Sequence, residues 1–136
     1  MIDLSRTLQD LEGHDWGEPT YDSHLVTECH RLRRVPLADF TIEDLRIMIG
    51  QNIGSRYLVP LALERLEENP WVSGDCYSGD LLMAVLGLPY EFWESHPDLM
   101  RDLTGIIRIL EDQERMKARE IMPAWLAIFG GTIASE

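Results

Sequence analysis

Histidines, cysteines and paired carboxylates are the side chains most able to do chemistry, and this chain arranges few of them suggestively. The histidines are His14, His24, His30 and His96. His24, Cys29 and His30 come nearest to a metal set. His30 follows His24 by six residues, so the two do not share a helical face as zinc-binding pairs do, and there is no C-x-x-C. Ser23–His24 and Cys29–His30 are adjacent pairs, but a nucleophile and its base need a three-dimensional hydrogen bond that adjacency rarely supplies. No G-x-S-x-G elbow is present. The glycines of Gly50-Gln51-Asn52-Ile53-Gly54-Ser55 lack a following Lys and a preceding strand, so they read as helix termination and not as a phosphate loop. Asp75 and Asp80 lack the Asp-x-Asp spacing and the closing Glu of a calcium loop. The 24 acids offer many potential glycosidase pairs, but nothing in the spacing selects one. The residue pattern therefore assigns no catalytic, cofactor-binding or metal-binding residue, and an enzyme is not expected.

Charge is more informative. The net charge is −12, and Lys117 is the single Lys among 12 basic residues. Such a charge opposes nucleic acid or an anionic membrane as a direct partner, because phosphates are repelled, and suits a basic protein. The acids are also unevenly placed. No Lys or Arg occurs between Arg65 and Arg101, an interval that holds Glu67, Glu68, Asp75, Asp80, Glu91, Glu94 and Asp98. Interleaved with them are Trp71, Tyr77, Tyr90 and Trp93. Aromatic anchors within a charged rim are common at protein interfaces. Glu67, Glu68, Asp75, Asp80, Glu91 and Glu94 are thus the candidate partner-binding residues. The competing reading makes the acids a solvated face and the aromatics core, and for Trp71 and Trp93 core is favoured.

The elements that must position these residues read as short helices punctuated by Gly and Pro. Asp3 is placed to cap a first helix with Leu4, Leu8 and Leu11 on one face and Gly13 as its stop. Asp22 is placed to cap a second helix, ended by Pro36, with Leu25, Cys29 and Leu32 as its stripe and Arg31, Arg33 and Arg34 favoured by the dipole at its C-terminal end. Thr41 with Asp44 forms an acidic capping box for a third helix reaching about Asn52, with Gly54 marking its end. A fourth helix covers Ser55 to Glu68, starting late or kinking at Pro60, with Leu58, Leu61, Ala62 and Leu66 inward. Trp71 to Tyr77 is a loop. Leu81 to Leu86 is apolar nearly all round, as a central buried helix would be. After one further turn over Pro89 to Trp93, Ser95 is placed to cap a long helix bearing Leu99, Leu103, Ile106, Ile107 and Leu110. It continues through charge pairs such as Glu111–Arg115 and Glu114–Lys117 until Pro123, before a last apolar turn around Trp125, Leu126 and Phe129. The expected fold is all-α: a compact single domain over residues 1–136, built of about six to eight short helices.

Two cysteines form no disulfide framework and suit a reduced cytoplasm. The first residues, MIDLSRTLQDLEG, carry three acids and no apolar run, so no signal peptide is expected. The longest uncharged stretch, Ile121–Ser135, is too short to span a bilayer and contains Pro123, Gly130 and Gly131.

The pieces TLQDLEGHDWGEP, HLVTECHRLRRVPLADFTIEDLRIMIGQNIG, YLVPLALERLEENP and GDCYSGDLLMAVLGLPYEFW fall in order between Thr7 and Trp93, about two-thirds of the chain. Over them the chain resembles the immunity proteins of bacterial contact-dependent growth inhibition systems, and residues 97–136 resemble their variable helical tail. The resemblance implies a cytoplasmic protein that binds a cognate toxin C-terminal domain, often a basic nuclease, and neutralises it by covering its active site or a surface it needs. It supplies no catalytic residues, and LRRVPL and IGQNIG read as caps, turns and packing. The alternatives are a small acidic adaptor or regulator of another intracellular protein, or an enzyme built on two close carboxylates. The oligomeric state is open.

Overall fold

The computed structural model describes residues 2–20 and 23–113. Among the described residues there are seven α-helices and one 3-10 turn: α1 Leu8–Glu12, α2 His24–Leu32, the 3-10 turn Leu37–Asp39, α3 Ile42–Gly50, α4 Ser55–Glu68, α5 Asp80–Leu86, α6 Tyr90–Ser95 and α7 Pro97–Gln113. No strand occurs among them. Asp22, the partners Glu114, Arg115 and Lys117, Pro123 and the apolar turn at Trp125, Leu126 and Phe129 lie outside the described residues.

α3 begins as its sequence dictates. The Thr41 side chain accepts the Asp44 N–H, and the Asp44 carboxylate accepts the Thr41 N–H, so two orphan donors are satisfied reciprocally. The same box, Thr7 with Asp10, starts α1. Asp3 therefore caps no helix; its carboxylate instead takes the N–H and hydroxyl of Ser5 in a local turn. Leu4 precedes the helix and is exposed, while Leu8 is buried, and Gly13 stops α1 in the left-handed conformation as expected. α2 buries Cys29 and Leu32, but Leu25 lies on its outer side. Burial pushes the Cys29 thiol pKa up.

Gly54 differs from expectation. α3 already ends at Gly50, and Gly54, at φ 64°, opens α4. The positive φ at this position favours glycine, and a Cβ there would also meet the buried Leu8 side chain at 2.7 Å. α4 runs unbroken from Ser55 to Glu68 with Pro60 inside it. Proline removes one ladder bond near the start, and burial of Leu58, Val59, Ala62, Leu63 and Leu66 outweighs that loss. Ser95 ends α6 and does not cap α7, which starts with Pro97, where the missing N–H costs nothing.

α5 packs against both α3 and α4, and buries Leu81, Leu82, Val85 and Leu86. α4 also packs on α7, α7 on α6, and α3 on α2. The expected stripe on α7 is realised, with Leu103, Ile106, Ile107 and Leu110 buried and Leu99 half-buried.

The arginines that close α2 do more than answer its dipole. Arg33 is 1% exposed; it donates to the Glu12 carboxylate and the His14 carbonyl, and its guanidinium lies 4.4 Å from the Trp16 ring centre. Arg34 donates to the Gly17 carbonyl at 3.0 Å, and Trp16 meets the His30 ring edge-on at 5.1 Å. The turn-rich connector after α1 is thereby tied down onto α2. Because Glu12 keeps water on one side while Arg33 has none, the two halves of the pair are unequal. Glu12→Ala strands a buried cation and is expected to cost about 3 kcal/mol, whereas Arg33→Met removes the charge at similar volume and should cost about 1 kcal/mol. Urea unfolding of both variants checks the asymmetry.

Candidate functional site

The loop between α4 and α5 is an ordered surface feature. It leaves α4 through Asn69, whose side-chain oxygen accepts the Trp71 N–H at 3.1 Å, and it closes where Gly79 N and Ser78 Oγ both donate to the Trp71 carbonyl at 3.1 Å. Within it, one carboxylate does most of the ordering. Asp80, the first residue of α5, accepts the N–H groups of Gly74 at 2.7 Å, Cys76 at 3.0 Å and Tyr77 at 3.3 Å. Its charge also sits at the favourable N-terminal end of α5 and 3.8 Å from Arg46 Nε.

α3 supplies the second anchor. Arg46 Nε donates to Glu43 Oε1 at 2.6 Å, and the same oxygen accepts the Asp75 N–H at 2.9 Å. The Arg46 bond first, and the Asp75 N–H after burial has opposed it, hold the Glu43 carboxyl below its usual range; the pairing raises Arg46 further. Gly74 lies so close to α3 that a Cβ there would fall 2.4 Å from Glu43 Oε1 and 3.1 Å from the Glu43 Cα. A side chain there would displace the Glu43 carboxylate from Arg46 and the Asp75 N–H.

The backbone is thus held from beneath while side chains at the tip face solvent. Asp75, Cys76 and Ser78 are exposed, and Tyr77 is 56% exposed. Beside Tyr77 runs an open groove of about 340 Å³, lined by Arg46, Gly50, Tyr77, Asp80, Met83 and Ala84.

The candidate residues meet different fates. Glu67 and Glu68 are exposed in the last turn of α4, Asp75 in the loop, and Glu91 and Glu94 on α6. Asp80 is 3% exposed and is corrected from a surface contact to an internal anchor: three N–H groups and Arg46 already occupy it. The aromatics divide as well. Trp93 is fully buried and Trp71 packs half-buried against the core, whereas Tyr77 and Tyr90 stand out. Tyr90 and Glu94 lie one turn apart on the outer side of α6. Glu43 and Arg46 carry no site signal in the sequence, because their role depends on a loop 32 residues away. The i,i+3 spacing of the pair was their only local signal.

Among the described residues no helix is long and apolar enough to cross a membrane. The fold is all-helical among the described residues, the chain is acidic, and an ordered loop adjoins an open groove. A family model described as CDI immunity proteins matches residues 10–103, and the chain belongs to that family. Its members neutralise the cognate toxin of a contact-dependent growth inhibition system, as inhibitors and not as enzymes. No curated protein and no solved structure matches the chain.

Proposed function

We propose that this protein acts in the cytoplasm as the stoichiometric inhibitor of a basic toxin domain of the nuclease type. The family supports a toxin as partner. The observation that carries the finer reading is the charge: −12 overall, with Glu67, Glu68, Asp75, Glu91 and Glu94 exposed and no Lys or Arg between Arg65 and Arg101. A nuclease domain must hold a polyanion, so its own surface is basic and is drawn to such a field. Free Cys29 and Cys76 suit a reducing compartment.

Glu67 and Glu68 add a physical argument. They occupy the last turn of α4, where the helix dipole disfavours carboxylates. Acids kept against local preference point to a use beyond folding. Glu67→Lys with Glu68→Lys is therefore expected to hold or raise the melting temperature while slowing association with the toxin about tenfold at low salt. The test uses the toxin domain encoded beside this gene: co-purification with the wild-type chain, growth protection on toxin expression, and association rates across ionic strength. A chain that neither binds nor protects overturns the reading; binding that ignores both salt and the double substitution overturns its electrostatic part.

A further inference from the structure

Of the open grooves, the one on α7 is lined by Arg101 and Arg108 and would repel a basic partner. The groove between α3 and α5 differs: its lining cation Arg46 is already paired with Glu43 and Asp80, and the exposed Asp75 lies on the adjoining loop that carries Tyr77. Its wall includes Gly50, the last residue of α3, and that helix has no basic residue in its last turn to offset the partial negative charge of its carbonyl end. Tyr77 lines the groove, 56% exposed, on a backbone held by the Asp80 carboxylate. Met83 and Ala84, both half-buried, supply an apolar floor.

We propose that this groove is a recognition site for the toxin domain, receiving one of its arginine or lysine side chains against the Tyr77 ring, with Asp75 and the carbonyl end of α3 completing the cation's surroundings. The proposal rests on the toxin-binding reading and names its surface. A cation over an aromatic face gains from the ring's quadrupole, and its aliphatic stem suits Met83 and Ala84. The partner's side chain loses rotamer freedom on docking, but the loop has already been ordered by folding. Little of the interaction is therefore spent on arranging the receiving side.

The test measures affinity for a catalytically inactivated form of the toxin domain encoded beside this gene. Tyr77→Ala is expected to weaken binding by at least about thirtyfold, the loss typical of a central aromatic anchor, while Tyr77→Phe stays within about threefold. The helical signal and melting temperature of both should match wild type, since Asp80 orders the loop through the backbone N–H groups of Gly74, Cys76 and Tyr77. Cys76 gives a readout that needs no substitution. It is exposed beside Tyr77 while Cys29 is buried, so maleimide labels one position, and the bound toxin should slow that labelling roughly tenfold or more. A Tyr77→Ala affinity within about threefold of wild type, or unchanged Cys76 labelling in the complex, overturns this site while leaving the inhibitor reading standing. Failure of the wild-type chain to bind the toxin overturns both.

Discussion

Asp80→Lys is expected to unfold the protein or to cost more than about 4 kcal/mol, although charge reversal at an acidic residue in an acidic stretch looks like a routine surface change. The carboxylate is 3% exposed, and it accepts from Gly74, Cys76 and Tyr77 together. Lysine removes both acceptor oxygens of the three N–H groups, brings a second cation to Arg46, and places a positive charge at the start of α5, where the dipole opposes it. Each abandoned N–H costs about 1–3 kcal/mol unless the loop opens to water, and opening it frees the Gly74 approach to α3. Asp80→Asn keeps one acceptor oxygen and should retain the fold with a smaller loss. Thermal melting followed by helical circular dichroism checks both. A loss of toxin binding in Asp80→Lys would therefore report unfolding and not a contact, whereas Asp75→Lys on the same loop leaves these acceptors intact and isolates surface charge.

The second large effect is Trp93→Ala, expected to cost about 4 kcal/mol and to lower Tm by roughly 15 °C. Trp93 is fully buried on α6 and meets Phe92 edge-on at 5.1 Å. Its removal leaves a large void in the region where α6 packs on α7, and a six-residue helix has little stability of its own to hold its place. Against a total stability of 5–15 kcal/mol typical of a domain, such a loss is a large fraction. Tyr90→Ala, three residues earlier and 49% exposed, should change Tm little. The contrast shows why an aromatic among acids is not by itself an interface anchor.

Both residues came from the same sequence feature, the acidic and aromatic interval between Arg65 and Arg101, and the fold divides that feature. Helix periodicity accounts for part of the division. Trp93 lies on the inner side of α6, but its neighbours Pro89 and Ser95 leave too few residues for the pattern to declare a face. Asp80 was legible as an acid at the start of an apolar helix. That its carboxylate turns back to three amides of the preceding loop depends on the path from Trp71 to Gly79, which no local spacing encodes.

Elsewhere local chemistry was sufficient. The Thr41–Asp44 box, the apolar run of α5 and the α7 stripe are short-range signals, and each is realised. Thr7–Asp10 carries the same box at the same spacing, yet Asp3 is an equally plausible cap by type. The choice between them is tertiary: the Gln9 N–H reaches the Arg33 carbonyl at 3.0 Å, and Leu8 fills the space that Gly54 leaves open.

The sequence alone determined the helical class, the core stripes, the family and the acidity, because these depend on residue type and on spacings within a turn or two. Tertiary structure alone decided which acids are exposed and which are buried. Exposure of Asp75 and Tyr77, burial of Asp80 and the tie from Glu43 to a loop 32 residues away follow from one close passage of backbone over α3. A carboxylate's role is set by what surrounds it, and that is fixed only when distant segments meet.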